Sequence, residues 1–247
     1  MMIKTGLSDI RKRYIIRLIC RSIIFLAAVT LYVTGFDKHN ILAGFDFFRQ
    51  FSVLHILWVI WLLDMLSQLI PMKKTIALGS YKVFKHRFRP AAGQFSREAL
   101  RKHIVATTRS AYKVMIVWVA LIGALGLLKY LGILNDVHLF LVTVAFYVCD
   151  LICVLIWCPF RLMMGNKCCT TCRIFNWDHL MMFTPMVYVK GFYSWSLLGL
   201  SIVVWVVWEL CVALYPERFW EKSNSALKCS ECTDKLCIQY CQKLRKK

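Results

Sequence analysis

The sequence predicts an all-α protein: a multi-pass helical membrane bundle of about five transmembrane helices, a short re-entrant element and a small Cys-rich C-terminal tail. Three observations carry this prediction. Hydrophobic residues make up 59% of the 247, well above the roughly 45–50% of a soluble domain. They fall into runs of about 20 residues, the length that crosses a bilayer as a helix. The net charge of +19 is spread unevenly between those runs, as expected when basic loops gather on one side of a membrane.

The elements follow in chain order. Residues 1–21 carry Lys4, Arg11, Lys12, Arg13, Arg17 and Arg21, and an apolar run follows over 22–35. No small-x-small cleavage site closes that run, because Leu31-Tyr32-Val33-Thr34 stands at its end. It therefore reads as an uncleaved first span over 18–35, with Arg21 snorkelling to the interface. The second span is 51–70, closed by Pro71. A basic loop occupies 71–113. The third span is 114–134, and the Asn135-Asp136 turn leads into the fourth, 138–158. A polar, cysteine-bearing segment covers 159–179. The last apolar stretch, 180–215, has Lys190 and Glu209 as its only charges. It is too long for one crossing. Residues 192–215 form the fifth span, and 180–189 are surplus. The membrane domain is thus 1–215 and the basic tail 216–247.

Lysine and arginine number 6 in residues 1–21, 2 in 36–50, 11 in 71–113, 1 in 129–137, 4 in 159–191 and 8 in 216–247. Loop 71–113 is therefore assigned to the cytoplasm together with the N-terminus. Five plain crossings would leave the basic tail outside. A re-entrant or short crossing at 180–189, broken at Pro185 and Lys190-Gly191, returns it to the cytoplasm, and this is the reading adopted. Non-helical backbone at that depth must be buried in protein.

Two groups of the twelve cysteines suggest chemistry. Cys168, Cys169 and Cys172 lie within five residues, with Cys158 upstream. Cys229, Cys232, Cys237 and Cys241 lie within thirteen. Thiolates are soft ligands for zinc and Fe–S clusters. A closed four-cysteine site suits a cytoplasmic tail, and disulfides would suit an external one. Ionisable residues inside the spans form a third group: Asp64, Asp150 and Glu209, all counted at similar depth. Charges there are costly and mark functional sites by default. Cys149 and Cys153 flank Asp150 on span four and point towards the Cys168–Cys172 segment, whereas His55 reads as a packing residue.

Residues 81–89 interleave aromatics with positive charge, which suits the anionic inner leaflet better than nucleic acid. Ser96 is placed as the N-cap of a helix running through 113. No Walker loop, GxGxxG, GxSxG or HExxH is present, which removes most nucleotide-driven and serine-nucleophile chemistry. The leading expectation is a membrane redox or electron-transfer component binding zinc or an Fe–S centre through its cysteines. The alternatives are a small-solute or ion transporter with intramembrane carboxylates and structural zinc, or a non-catalytic subunit working with other membrane subunits.

Overall fold

In lipid each backbone N–H and C=O must find its partner within the segment, so the apolar runs fold as helices. The structure is a computed structural model and describes residues 8–34, 41–49, 51–71, 79–93, 95–166, 168–232 and 236. Four helices are long and apolar enough to cross a membrane: α1 (Asp9–Thr34), α4 (Arg97–Tyr130), α5 (Asp136–Leu155) and α8 (Phe192–Leu214). A shorter apolar helix, α2 (Val53–Leu69), has 17 residues, or about 26 Å of rise. The short helices α3 (Ser80–Val83), α6 (Pro159–Met164) and α7 (Asp178–Phe183) connect them. No strand occurs among the described residues, only the isolated bridges Gly44–Gly191 and Pro90–Asn224. The protein is an all-α membrane bundle.

Several boundaries move from those read in the sequence. Helix α1 starts at Asp9 rather than near 18, because the basic N-terminal turns continue the apolar helix without a breaker. Helix α4 is continuous from the basic segment into the third span, and the Ser96 hydroxyl accepts from the Glu98 N–H at its start. It stops at Tyr130, short of 134, and Gly132 turns the chain at φ 75°. Asn135 caps α5 by accepting from His138 N–H, and the His138 ring accepts from the Asn135 N–H. The Ser52–His55 pair caps α2 in the same way. His55 Nε2 also lies 2.8 Å from the Phe47 carbonyl, so this histidine is a satisfied structural residue.

Helices α1 and α5 run antiparallel. Tyr14 packs with Leu155 at one end, and Tyr32 bonds His138 at the other. Helix α2 pairs with α8, where Trp58 Nε1 donates to Ser196 Oγ and Tyr193 donates to the Leu54 carbonyl. Trp61 sits at the centre with its ring against Phe140, Tyr147, Phe183 and Tyr193.

The surplus apolar segment goes inside the protein. Helix α7 passes into a 3-10 turn over Thr184–Tyr188. Phe183, Met186 and Val189 are fully buried. Hydrogen bonds with α4 hold this irregular segment. Trp118 Nε1 donates to Thr184 Oγ, Lys129 Nζ donates to the Tyr188 carbonyl, and Tyr188 donates to the Ile122 carbonyl. The segment ends beside the 41–49 loop, where Gly44 N–H donates to Lys190 O and Phe192 N–H to Gly44 O. A side chain at Gly191 would strike the Leu42 carbonyl, so glycine permits this closure.

Residues 178–191 therefore traverse the bundle, and α8 returns. Residues 218–225 then lie against residues 79–93: Ala91 N–H donates to Ser223 O, Ser225 N–H to Arg89 O, and Arg218 to Val83 O. We term the end bearing residues 79–93, 156–166, 168–177 and 216–232 the basic end.

Candidate functional site

Helices α1, α2, α5 and α7 bring a chain of charged side chains together inside the bundle. Arg21 is at its middle. One guanidinium nitrogen donates to Asp150 Oδ2 at 2.7 Å and to the Tyr147 carbonyl at 2.8 Å. The other donates to Asp64 Oδ2 at 2.9 Å. The guanidinium carbon lies 3.8 Å from the Tyr147 ring centroid, a cation–π contact. Only a planar fork can serve two carboxylates, a carbonyl and a ring face at once. The snorkelling expected of Arg21 is thus corrected: the side chain turns inward and is 7% exposed. It is the cation that Asp64 and Asp150 share.

Beyond Asp64 stands His179, which was not among the site residues expected from the sequence. Its Nε2 is 3.6 Å from Asp64 Oδ2, and its Nδ1 is 3.1 Å from Asp178 Oδ1. The imidazole is 4% exposed, whereas the flanking carboxylates retain 20% and 16%. Gln68 Nε2 also meets Nδ1 at 3.0 Å, and Gln68 Oε1 has no partner among the described residues. An amide can offer its N–H to a bare ring nitrogen, or turn its oxygen to a protonated one. Gln68 can therefore serve either state of the ring.

The third buried acid lies elsewhere. Glu209 does not join Asp64 and Asp150. Arg173 grips it with a two-pronged bond of 2.8 and 2.5 Å, and Trp177 Nε1 adds a third at 2.8 Å. Trp208 in turn donates to the Arg173 carbonyl. Equal spacing from a helix end does not tell which side Glu209 faces.

The cysteines are only partly gathered. Cys169–Cys172 and Cys229–Cys232 adopt the same 3-10 turn, with Cys172 N–H donating to Cys169 O at 3.1 Å and Cys232 N–H to Cys229 O at 3.3 Å. The closing residues have φ/ψ of −64°/127° and −64°/124°. Cys169 Sγ donates to the Cys153 carbonyl at 3.9 Å, which joins the α5 stripe to the first cysteine group. Cys158 caps α6 and Cys149 is exposed. Among the described residues no three His, Cys, Asp or Glu side chains converge as metal ligands. Cys237 and Cys241 lie outside the described residues.

Lys82 is another residue the sequence reading missed. Residues 81–89 do not lie flat as a uniform basic surface, because Phe84 and Lys82 turn inward. Lys82 Nζ donates to the Cys172 carbonyl at 2.7 Å and sits 5.2 Å from the Trp208 ring. Burial pushes this ammonium down to about 8, against the opposing pull of the Cys172, Cys168 and Cys169 thiols. Burial likewise pushes the Cys172 thiol up. Between about pH 8 and 10.5 the unfolded lysine keeps a proton that the folded one has shed. Stability should therefore rise with pH across that window, by at most about 1.4 kcal/mol per pH unit. Lys82→Met removes the buried charge, so any advantage in its thermal midpoint should be greatest below pH 8 and shrink above it. A constant difference from pH 7 to 10 contradicts this assignment.

Comparison of the chain with protein-family models, curated proteins and solved structures finds no match in any of the three.

Proposed function

We propose that the protein is a membrane ion transporter that passes protons along Asp178–His179–Asp64, with Arg21 and Asp150 holding Asp64 in place. The observation that carries this reading is the placement of His179. A buried imidazole with a carboxylate at each nitrogen accepts a proton on one side and releases it on the other. The charge balance supports it. Asp64, Asp150 and Asp178 have one guanidinium, that of Arg21, bonded within the cluster, with Arg17 acting on Asp64 from further off, and carboxylates at membrane depth call for protons or a bound cation. Trp61 Nε1 and Ser194 Oγ are buried further along the bundle without partners among the described residues, which supplies polar groups beyond the charged chain.

In vesicles carrying a pH-sensitive dye and a valinomycin-clamped potential, the wild type should speed proton entry over protein-free vesicles. His179→Gln should return entry to the protein-free rate. Equal rates for the wild type and empty vesicles would overturn the reading.

The same proposal places the basic end, with residues 71–113, the N-terminus and the tail, in the cytoplasm, and residues 36–50 outside. The 11 and 8 basic residues of the loop and tail, against 2 in 36–50, support this. In a cysteine-depleted background, impermeant thiol reagents should label Phe45→Cys on intact cells and spare Ala92→Cys and Ser230→Cys. The reverse pattern inverts the topology.

A second reading, a zinc or Fe–S centre at the cysteines, is favoured by the matching turns at Cys169–Cys172 and Cys229–Cys232. Anaerobically purified protein should then carry metal that Cys232→Ser loses. Metal-free protein, prepared without chelators, contradicts it.

A further inference from the structure

A groove runs along the first four turns of α4, where that helix meets the end of α8. Its volume is about 810 Å³. Leu100, Ile104 and Val105 form one wall, and Val212, Ala213 and Leu214 the other. A second hollow of about 330 Å³ shares Ile104, Val105 and Thr108 with the first and continues to Arg109 and Tyr112. Residues 97 to 112 rise by about 22 Å. The track therefore leads from the basic end up towards the apolar part of α4.

The mouth is positively charged. Arg97 and Arg101 line it, are four residues apart on one helix face, and have no ion pair among the described residues. The acids nearby are engaged: Glu98 with Lys102 at 2.7 Å, and Glu209 with Arg173. Glu217 is the remaining carboxylate on the wall. Two guanidinium groups without an ion-pair partner among the described residues form a fork for phosphate oxygens. Beyond them the lining is mainly hydrocarbon, interrupted by Thr108, Arg109 and the paired Arg173 and Glu209, and Val105 and Tyr112 stay 53% and 54% exposed. A soluble anion would leave these side chains bare, whereas an acyl chain covers them.

We propose that this groove binds one anionic phospholipid, its phosphate on Arg97 and Arg101 and an acyl chain along Leu100–Tyr112. The proposal deepens the assignment of the basic end to the inner face, and rests on it only for the leaflet that supplies the lipid. The labelling experiment above tests that assignment separately.

Native mass spectrometry of the detergent-purified full chain tests the groove directly, with phosphatidylglycerol and phosphatidylcholine as probes. The wild type should retain one phosphatidylglycerol in preference to phosphatidylcholine. Replacing Arg97 and Arg101 together by glutamine should weaken that retention about tenfold or more and leave phosphatidylcholine unchanged. Val105→Trp, which fills the groove and spares both arginines, should weaken it as well. Lys102→Gln, whose partner is Glu98, should have no effect. Millimolar glycerol 3-phosphate should not displace the lipid. Unchanged retention in the arginine double variant, equal retention of both lipids, or displacement by glycerol 3-phosphate would overturn the proposal.

Discussion

Replacing Arg21 by methionine is expected to lower the thermal unfolding midpoint of the detergent-solubilised protein by about 10 °C. The substitution leaves Asp64 and Asp150 facing each other without the guanidinium now bonded to both. Removing one partner of a buried ion pair costs about 3–5 kcal/mol, and each kcal/mol is worth about 2–4 °C in a chain of this size. Arg21→Lys should fall in between, because one ammonium cannot reach both carboxylates and the Tyr147 carbonyl. Adding Asp64→Asn and Asp150→Asn to Arg21→Met should restore most of the loss, since the uncompensated charges are then gone. A methionine variant as stable as the wild type would mean that the three side chains do not act as one unit.

Glu209→Leu should show the second-largest loss, about 3 kcal/mol. Arg173 is 4% exposed, and Glu209 takes two of its nitrogens. The leucine also strips Trp177 Nε1 of its partner. Arg173→Met alone should cost a similar amount. The double variant should be more stable than the sum of the two losses implies, by about 1–3 kcal/mol of coupling. Thermal midpoints of the four proteins close that cycle, and strict additivity would show that the fork contributes nothing.

The all-α class and its long apolar helices were legible because lipid imposes one requirement, a long apolar run, and the sequence states it directly. Side-chain partners were legible only in part. Asp64 and Asp150 stood out as acids in apolar runs, and the structure joins them. Arg21 was misread because a basic residue near the end of a span satisfies the snorkelling pattern equally well. Its helical phase held the missing signal: Tyr14, Leu18, Arg21, Phe25 and Ala28 repeat at three and four residues, and all five face the bundle. Such a stripe places Arg21 inward.

His179 and Lys82 had no such signal. They lie in the short helices α7 and α3, of six and four residues, where no periodicity tells a reader which way a side chain points. The same holds for the traverse at 178–191, whose 3-10 backbone depends on Trp118, Lys129 and Tyr188, residues that are scattered in sequence. The cysteines illustrate the opposite difficulty. Close spacing in the chain made them conspicuous, yet convergence on a point depends on tertiary contacts that spacing does not contain.

The proposed proton pathway rests on the imidazole between Asp64 and Asp178, and proton entry into vesicles measured for the two flanking variants tests it most directly. A relay needs an acceptor at each ring nitrogen. Asp64→Asn and Asp178→Asn should therefore each reduce entry to the protein-free rate, and the double variant should be no slower than either single one. Entry persisting at the wild-type rate in both single variants, with each still correctly folded, would contradict the account.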